Sequence, residues 1–304
     1  MSLQPRRDKR MPLADAAALV SDGAIVALGG GLSARLPMAM VRELIRQGRR
    51  GLHLIGSAHS IDVDLLVAAS AVRRCEESYV GFEQDLGLAP AYRRAAEEGS
   101  IEVAESCCAT VLAQLRAAEM GVPFLPVRGV RGSDIVRLHP EYAEITCPFT
   151  GETLVAVPAL RPDVALLHAP AGDRYGNLHL EQPYVLDERF ASASRLVVAT
   201  VDELVSTEEV ARSGITIPAH LVAAVAEVPY GAHPSSCYPG YAYDRTHLRE
   251  YLSAAESGPA DLEKYLATYV QGSEEDYRDA VGAGRLGVLG GWSQSVTGWQ
   301  EIFR

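Results

Sequence analysis

An apolar run, Ile25 through Leu28, feeds straight into three consecutive glycines and then, after a short turn, into a helical pattern opened by Pro37. A strand that stops on glycine and turns into a helix is the building unit of layered α/β architecture. In the helical stretch Val41, Leu44 and Ile45 share one face, with Arg42, Glu43 and Arg46 on the other. Glycines after a strand let a ligand approach the backbone closely, and the helix behind them presents N–H groups to an anion or a developing oxyanion. The triplet Gly29-Gly30-Gly31 is neither the dinucleotide fingerprint nor a phosphate loop, which would need a Gly-Lys-Ser/Thr. Two readings stay open: an anion- or oxyanion-holding bend, and a bend needed only to reverse the chain.

The alternation continues. Residues 52–55 read as a strand, 62–72 as a helix, 78–82 as a strand, 88–98 as a helix, 101–104 as a strand and 109–120 as a helix stopped by Gly121 and Pro123. A strand at 124–127 precedes an irregular polar span over 128–151. Strands resume at 154–157, 164–167, 196–200 and 223–228. This order predicts an α/β fold with a largely parallel, doubly wound open sheet. No solenoid-type repeat is visible. Residues 246–256, 261–269 and 274–281 read as helices polar on one face, suited to wrapping the sheet or docking on a partner. One main domain over 1–281 is expected, followed by a glycine-rich tail over 282–304 whose Trp292, Trp299 and Phe303 fit either an anchor or a disordered end.

Composition narrows the function. The chain has 304 residues, 48% of them hydrophobic, enough for a large core. A formal net charge of -11 argues against nucleic acid as the main partner. No apolar stretch approaches the roughly 18 residues a membrane span needs. The basic residues Arg6, Arg7, Lys9 and Arg10 are followed by no apolar core of a secretory signal, so a cytoplasmic protein is expected. Five cysteines, two of them adjacent at Cys107 and Cys108, form neither a disulfide framework nor paired C-x-x-C motifs, so no structural metal is expected.

In open α/β sheets ligands gather outside the carboxyl ends of the strands. Gly29 to Ser33, Gly56, Ser57, Gly81, Phe82, Glu105 and the stretch from Arg128 to Asp134 fall there. Glu105 closes the run IEVAE just before a helix, whose dipole favours an ionised carboxylate; a nucleophile, a base and a glutamate merely supporting its helix all fit. Cys107 and Cys108 read as small helix residues facing the core, and His59 as a solvent-facing loop histidine. His168, at the end of VALLH, reads as a hydrogen-bonded structural histidine, while His233 in PYGAHP is ambiguous. Arg128 and Arg131 with Ser133 and Asp134 fit either a clamp on a carboxylate or phosphate, or a solvated loop.

Five segments in order, LGGGLSARLPMAMVRELI, YVGFEQDLGLAPAYRRAAEEGSIEVAE, AEMGVPFLPVRGVRGSD, RPDVALLHAPAGDRYGN and AEVPYGAHP, resemble the α subunit of class I coenzyme A transferases, especially the glutaconate type, over about residues 10–280. The resemblance implies a Rossmann-like α/β subunit acting in a heteromer with a homologous β subunit, on an acyl-CoA and a carboxylic acid. In that chemistry a glutamate attacks the thioester to give an acyl-glutamyl anhydride, the released thiolate forms a glutamyl-CoA thioester, and the acceptor acid reverses the sequence. In the glutaconate type the glutamate belongs to the β subunit, in a motif like Glu-Asn-Gly, and this chain has no Glu-Asn-Gly. The α chain would then supply one wall: the glycine loop near the thioester oxygen and orienting residues such as Arg128, Ser133 and Asp134. Coenzyme A enters as substrate, with no metal, nicotinamide or flavin. The chain also resembles the α subunit of a steroid-degrading hydrolase that opens a ring of a CoA thioester with water. For that branch the resemblance points to Glu105 as the base, although a second acidic position expected just beyond it is Cys108 here.

Overall fold

The computed structural model describes residues 7–82, 86–182 and 184–291. The first half runs α1 (Leu13–Ala17), β1 (Ile25–Leu28), α2 (Met38–Arg46), β2 (Leu52–Ile55), β3 (Ala58–His59), α3 (Ile61–Ala68), β4 (Val72–Glu76), β5 (Tyr79–Val80), α4 (Pro90–Glu98), β6 (Glu102–Val103) and α5 (Cys108–Met120). A lobe follows, made of β7 (Phe124–Val127), α6 (Ile135–Leu138), β8 (Ala143–Thr146) and β9 (Thr153–Pro158). The chain then continues through β10 (Val164–Gly172), β11 (Leu178–His179), α7 (Asp187–Ala193), β12 (Leu196–Leu204), α8 (Thr207–Ser213) and β13 (Val222–Glu227). It ends in α9 (Arg245–Ser257), α10 (Pro259–Tyr269), α11 (Glu274–Val281) and α12 (Ala283–Gly290).

The main sheet has the order β13-β12-β10-β1-β2-β4-β6, all parallel, with β11 added antiparallel to β10. The chain winds outward from β1 through β2, β4 and β6, then returns to β10 beside β1 and winds the other way. Each central strand is buried on both faces. Val26 and Leu28 point into one core with α2, α3, α9 and α10, whereas Ala27 points into a second core with α5 and α7. The expected doubly wound α/β architecture is the one observed.

Three stretches depart from the expectation. The helix read over 62–72 ends at Ala68, and Val72 opens the strand β4; its sequence VRRCE hides behind two arginines that the burial of Val72 and Cys75 outweighs. The strand read over 78–82 is only the two residues of β5. The span 128–151 carries α6 and β8, and β7-β9-β8 form a separate antiparallel sheet around Val130, Tyr142, Val155 and Val157.

The last helices wrap the sheet. Leu248, Tyr251, Leu252, Leu262 and Tyr265 join the larger core, and Leu286 and Leu289 of α12 pack with Ala232, Cys237 and Tyr241. The tail thus contributes a docked helix through Gly290, while Trp292, Trp299 and Phe303 lie outside the described residues. Arg42, read as part of the polar face of α2, is instead 2% exposed. It forms a two-pronged pair with Glu274 of α11 (3.0 and 2.5 Å) and lies 3.6 Å from the centre of the Tyr277 ring. No helix among the described residues is long and apolar enough to cross a membrane.

Candidate active site

The sheet reverses its winding between β1 and β10, where a doubly wound fold opens a crevice for ligands. Here that crevice is closed by the chain itself. Arg35 pairs with Asp187 at 2.9 Å, both side chains being almost fully buried, and the Gly30 amide donates to the same carboxylate at 2.9 Å. The other glycine amides are engaged as well: Gly29 donates to Leu166 O and Gly31 to Ala34 O, each at 2.9 Å. At the start of α2, Met38 N donates to Leu36 O and Ala39 N to Gly231 O. None of these donors points at an open ligand site, so the amides expected to hold an anion or oxyanion work inside the fold. The glycines are required by close packing. A Cβ on Gly30, whose φ is +72°, would lie 2.4 Å from Ala34 O, and one on Gly29 would lie 2.5 Å from Leu167.

The reactive groups collect one step further along the edge, at the carboxyl ends of β2, β4 and β6. Ser57 Oγ donates to Cys108 Sγ at 3.1 Å, joining the loop after β2 to the first residue of α5. Cys108 is exposed and Cys107 is the N-cap of α5. Both were expected to face the core; Cys107 does pack beside the β7-β9-β8 lobe, but Cys108 turns toward Ser57 because the helix begins there and its first residue overhangs the sheet edge. Hydrogen bonds from Ser57 and Ser78 pull the Cys108 thiol below its ordinary pKa.

Beneath this pair sits a polar cluster that sequence reasoning missed. Glu77, just past β4, is 5% exposed, and neither carboxyl oxygen has a hydrogen-bond partner among the described residues. Burial, reinforced by the neighbouring Asp62 and Glu76 carboxyls, outweighs His59 and pushes its pKa up to about 8. The carboxyl lies on Gly56, where a Cβ would come within 2.3 and 2.4 Å of its two oxygens. His59 is also buried, contrary to the solvent-facing loop expected. The two-residue strand β3 pairs with β5 and draws it inward, and its Nδ1 meets Asp62 at 2.5 Å. Burial opposes its charge, but Asp62 and Glu77 overcome that and raise its pKa to about 9. At neutral pH burial thus favours the protonated form of Glu77, while Asp62 favours the charged form of His59. Acidic Glu77 next to Glu76 was the only hint in the sequence.

Glu105 stands at the rim, two residues before the N-cap of α5, and is exposed. Its carbonyl accepts from His139 Nε2 at 2.7 Å, which ties the β7-β9-β8 lobe to this edge, while its carboxylate makes no hydrogen bond or ion pair among the described residues. The Tyr92 hydroxyl lies close enough to Glu77 and Glu105 to be influenced by both; burial together with Cys75 and these carboxyls raises its pKa. The glycine bend and Glu105 thus share one edge of the sheet. They connect through Leu32 N, which donates to Ala58 O at 2.9 Å, and through Ser57–Cys108.

Gly81 and Phe82 line a cavity of about 60 Å³ beside Leu32 and Ser33, so they do come to the glycine loop. Arg128, Ser133 and Asp134 do not. Arg128 pairs with Glu152 at 2.7 Å, Ser133 Oγ donates to Val130 O, and Asp134 pairs with Arg137, all within the small lobe. Arg131 donates to Thr153 O in the same lobe. His168 is structural, its Nδ1 meeting Thr200 Oγ1 at 2.8 Å. With Asp202 and Cys237 it forms the one group with metal-ligand chemistry found among the described residues, three ligand atoms within 4.8 Å. Asp202 already accepts from Gly231 N and Tyr241 Oη, and burial holds the Cys237 thiol well above its ordinary pKa. His233 is buried between Tyr277 Oη and Asp244.

The family model described as Coenzyme A transferase matches residues 10–228. The cholesterol ring-cleaving hydrolase IpdA subunit of Rhodococcus jostii is 33% identical, covering 91% of this chain and 96% of its own. The crystal structure of glutaconate coenzyme A-transferase from Acidaminococcus fermentans superposes with a TM-score of 0.88 at 30% identity, covering 92% and 95% of the two chains. A variant of the decarboxylase AibA/AibB gives a TM-score of 0.78 at 36% identity, covering 86% of this chain and all of that one. An uncharacterized protein of Archaeoglobus fulgidus, 34% identical, is longer: the chain covers 63% of its length. The chain belongs to the coenzyme A transferase family.

Proposed function

We propose that the chain is the α subunit of an acyl-CoA:carboxylate CoA-transferase of the glutaconate type, working with a homologous β subunit that supplies the nucleophilic glutamate. The observation that carries this reading is Glu77, buried with no hydrogen-bond partner among the described residues, where burial pushes its carboxyl toward the neutral form. Transfer needs an anionic carboxylate at the thioester carbon. Burial pushes the Glu77 carboxyl toward its neutral form at pH 7, and Asp62 is bound to His59. Of the carboxyls at this edge Glu105, at the rim, remains unengaged among the described residues, and the attacking group is assigned to the β subunit because this chain lacks the Glu-Asn-Gly motif in which the glutaconate type carries it. Ser57, Cys108 and Glu77 would line the side of the reacting carbonyl opposite the incoming glutamate, where a neutral acid, and the Ser57 hydroxyl once turned from Cys108, can donate to a developing oxyanion. A CoA thioester serves as substrate and no other cofactor is required. The enzyme would work in the cytoplasm, where acyl-CoA pools are found.

The experiment is co-expression with a homologous β subunit from the same organism. A stable heteromer whose acyl transfer depends strictly on an added carboxylate acceptor supports the proposal. A monomer indifferent to that partner removes it.

A second reading, a hydrolase that opens a cyclic CoA thioester with water, is favoured by Glu105. Its exposed carboxylate, unengaged among the described residues, is placed at the rim to act as a base, and relatives at 33% identity from Rhodococcus jostii and Mycobacterium tuberculosis carry a hydrolase name. Turnover by water without any acceptor acid would select this reading.

A further inference from the structure

We infer that the cavity beside the glycine loop is an acyl pocket and that it selects a short, uncharged aliphatic acyl group; this rests on the reading that the site handles a CoA thioester. The cavity measures about 60 Å³ and is lined by Leu32, Phe82, Leu86 and Leu248, together with Tyr243 and the hydroxyls of Ser33 and Ser60. A water-sized centre needs about 10–15 Å³ of such space, so the cavity holds roughly four to six non-hydrogen atoms.

Its position links it to the polar cluster. Ser60 follows His59 directly, its Oγ donating to Leu32 O, and Gly81 N donates to His59 O at 3.0 Å. One wall of the cavity is therefore the backbone that carries His59, and the His59 ring beyond it lies against the Gly56–Glu77 contact. An acyl carbonyl held near Ser57 and Glu77 would leave its chain a short reach from this space.

The lining also decides the charge of the occupant. A carboxylate buried here would need a cation or several donors to offset its desolvation. The described lining residues include no cation. The nearby buried Arg35 is paired with Asp187, and Arg128 and Arg131 are bound within the small lobe. A dicarboxylic acyl group would place its far carboxylate against leucine and phenylalanine. A four- or five-carbon aliphatic chain matches both volume and polarity.

The test uses the purified heteromer with propionate as acceptor and acetyl-, butyryl-, isovaleryl-, hexanoyl-, succinyl- and glutaryl-CoA as donors, with propionyl-CoA as the product followed. Each buried methylene is worth about fourfold in kcat/KM. Butyryl- or isovaleryl-CoA should exceed acetyl-CoA by at least tenfold and glutaryl-CoA by more. Leu248→Phe and, separately, Leu86→Phe fill the space and should each lower the butyryl-to-acetyl ratio about tenfold, mainly through KM. A preference for glutaryl- or succinyl-CoA, or ratios unmoved in both variants, would overturn the inference while leaving the CoA-thioester reading standing. No turnover with any thioester would overturn that reading and the inference with it.

Discussion

Replacing Glu77 by glutamine tests whether a neutral acid is built into the site. In the folded chain its pKa is about 8 against an ordinary 4.5, because burial dominates. Between those two values the native state keeps a proton that the unfolded chain has released. Stability therefore falls as pH rises through this window, at up to about 1.4 kcal/mol per pH unit. Below pH 4.5 both states hold the proton and the term is absent; above pH 8 the loss is complete. Glutamine has nearly the same shape and cannot ionise, so the variant escapes this loss. From pH 5 to 7.5 the unfolding free energy of Glu77→Gln should rise relative to the parent by about 3 kcal/mol, or about 6 °C in melting temperature for a chain of this size. His59, with its pKa raised to about 9, adds stability that is complete below about 6.5 and lost as pH climbs through 9. Both proteins share that trend, so their difference isolates Glu77 and its coupling to His59. Urea titrations across pH with a common slope provide the measurement. A constant offset between the two proteins at every pH would refute a carboxyl held protonated by burial.

The other predictions concern the scaffold and the rim. Glu274→Ala strands the Arg42 guanidinium in the core and should destabilise the chain by about 3–5 kcal/mol, read as a lower urea midpoint at unchanged slope. Gly30→Ala forces a side chain into a left-handed backbone against Ala34 O and should cost about 3 kcal/mol or more; a variant of parental stability would remove the close-packing account of the glycine bend. Glu105→Gln should weaken a transferase less than tenfold but reduce ring-opening hydrolysis by about 10²–10⁴-fold, the usual worth of a general base, so steady-state kinetics on the purified heteromer separate the two chemistries.

Much of the sheet was legible because parallel strands buried on both faces read as largely apolar runs: IVAL, LHLI and VALLH each stand out between helical patterns. β4 was not, because its two arginines, one reaching Glu102 on the edge strand, look helical or loop-like in sequence. The site was half legible. Ser57, Gly81, Phe82 and Glu105 follow strand ends and do gather on one edge. Glu77 and His59 were hidden for one reason: burial of polar groups depends on what packs over them, here Gly56 and the short β3–β5 pair, and no local pattern reports that. Arg128, Ser133 and Asp134 were attractive as a polar run, yet tertiary pairing within the small lobe satisfies them there.

Trapping of the glutamyl-CoA thioester tests the division of labour most directly. The heteromer is incubated with acyl-CoA, reduced with borohydride, and both subunits are mapped by peptide mass spectrometry. The account predicts a reduced glutamate on the β subunit, with this chain unmodified and activity lost in proportion. A reduced glutamate at Glu105 or Glu77 of this chain would contradict it.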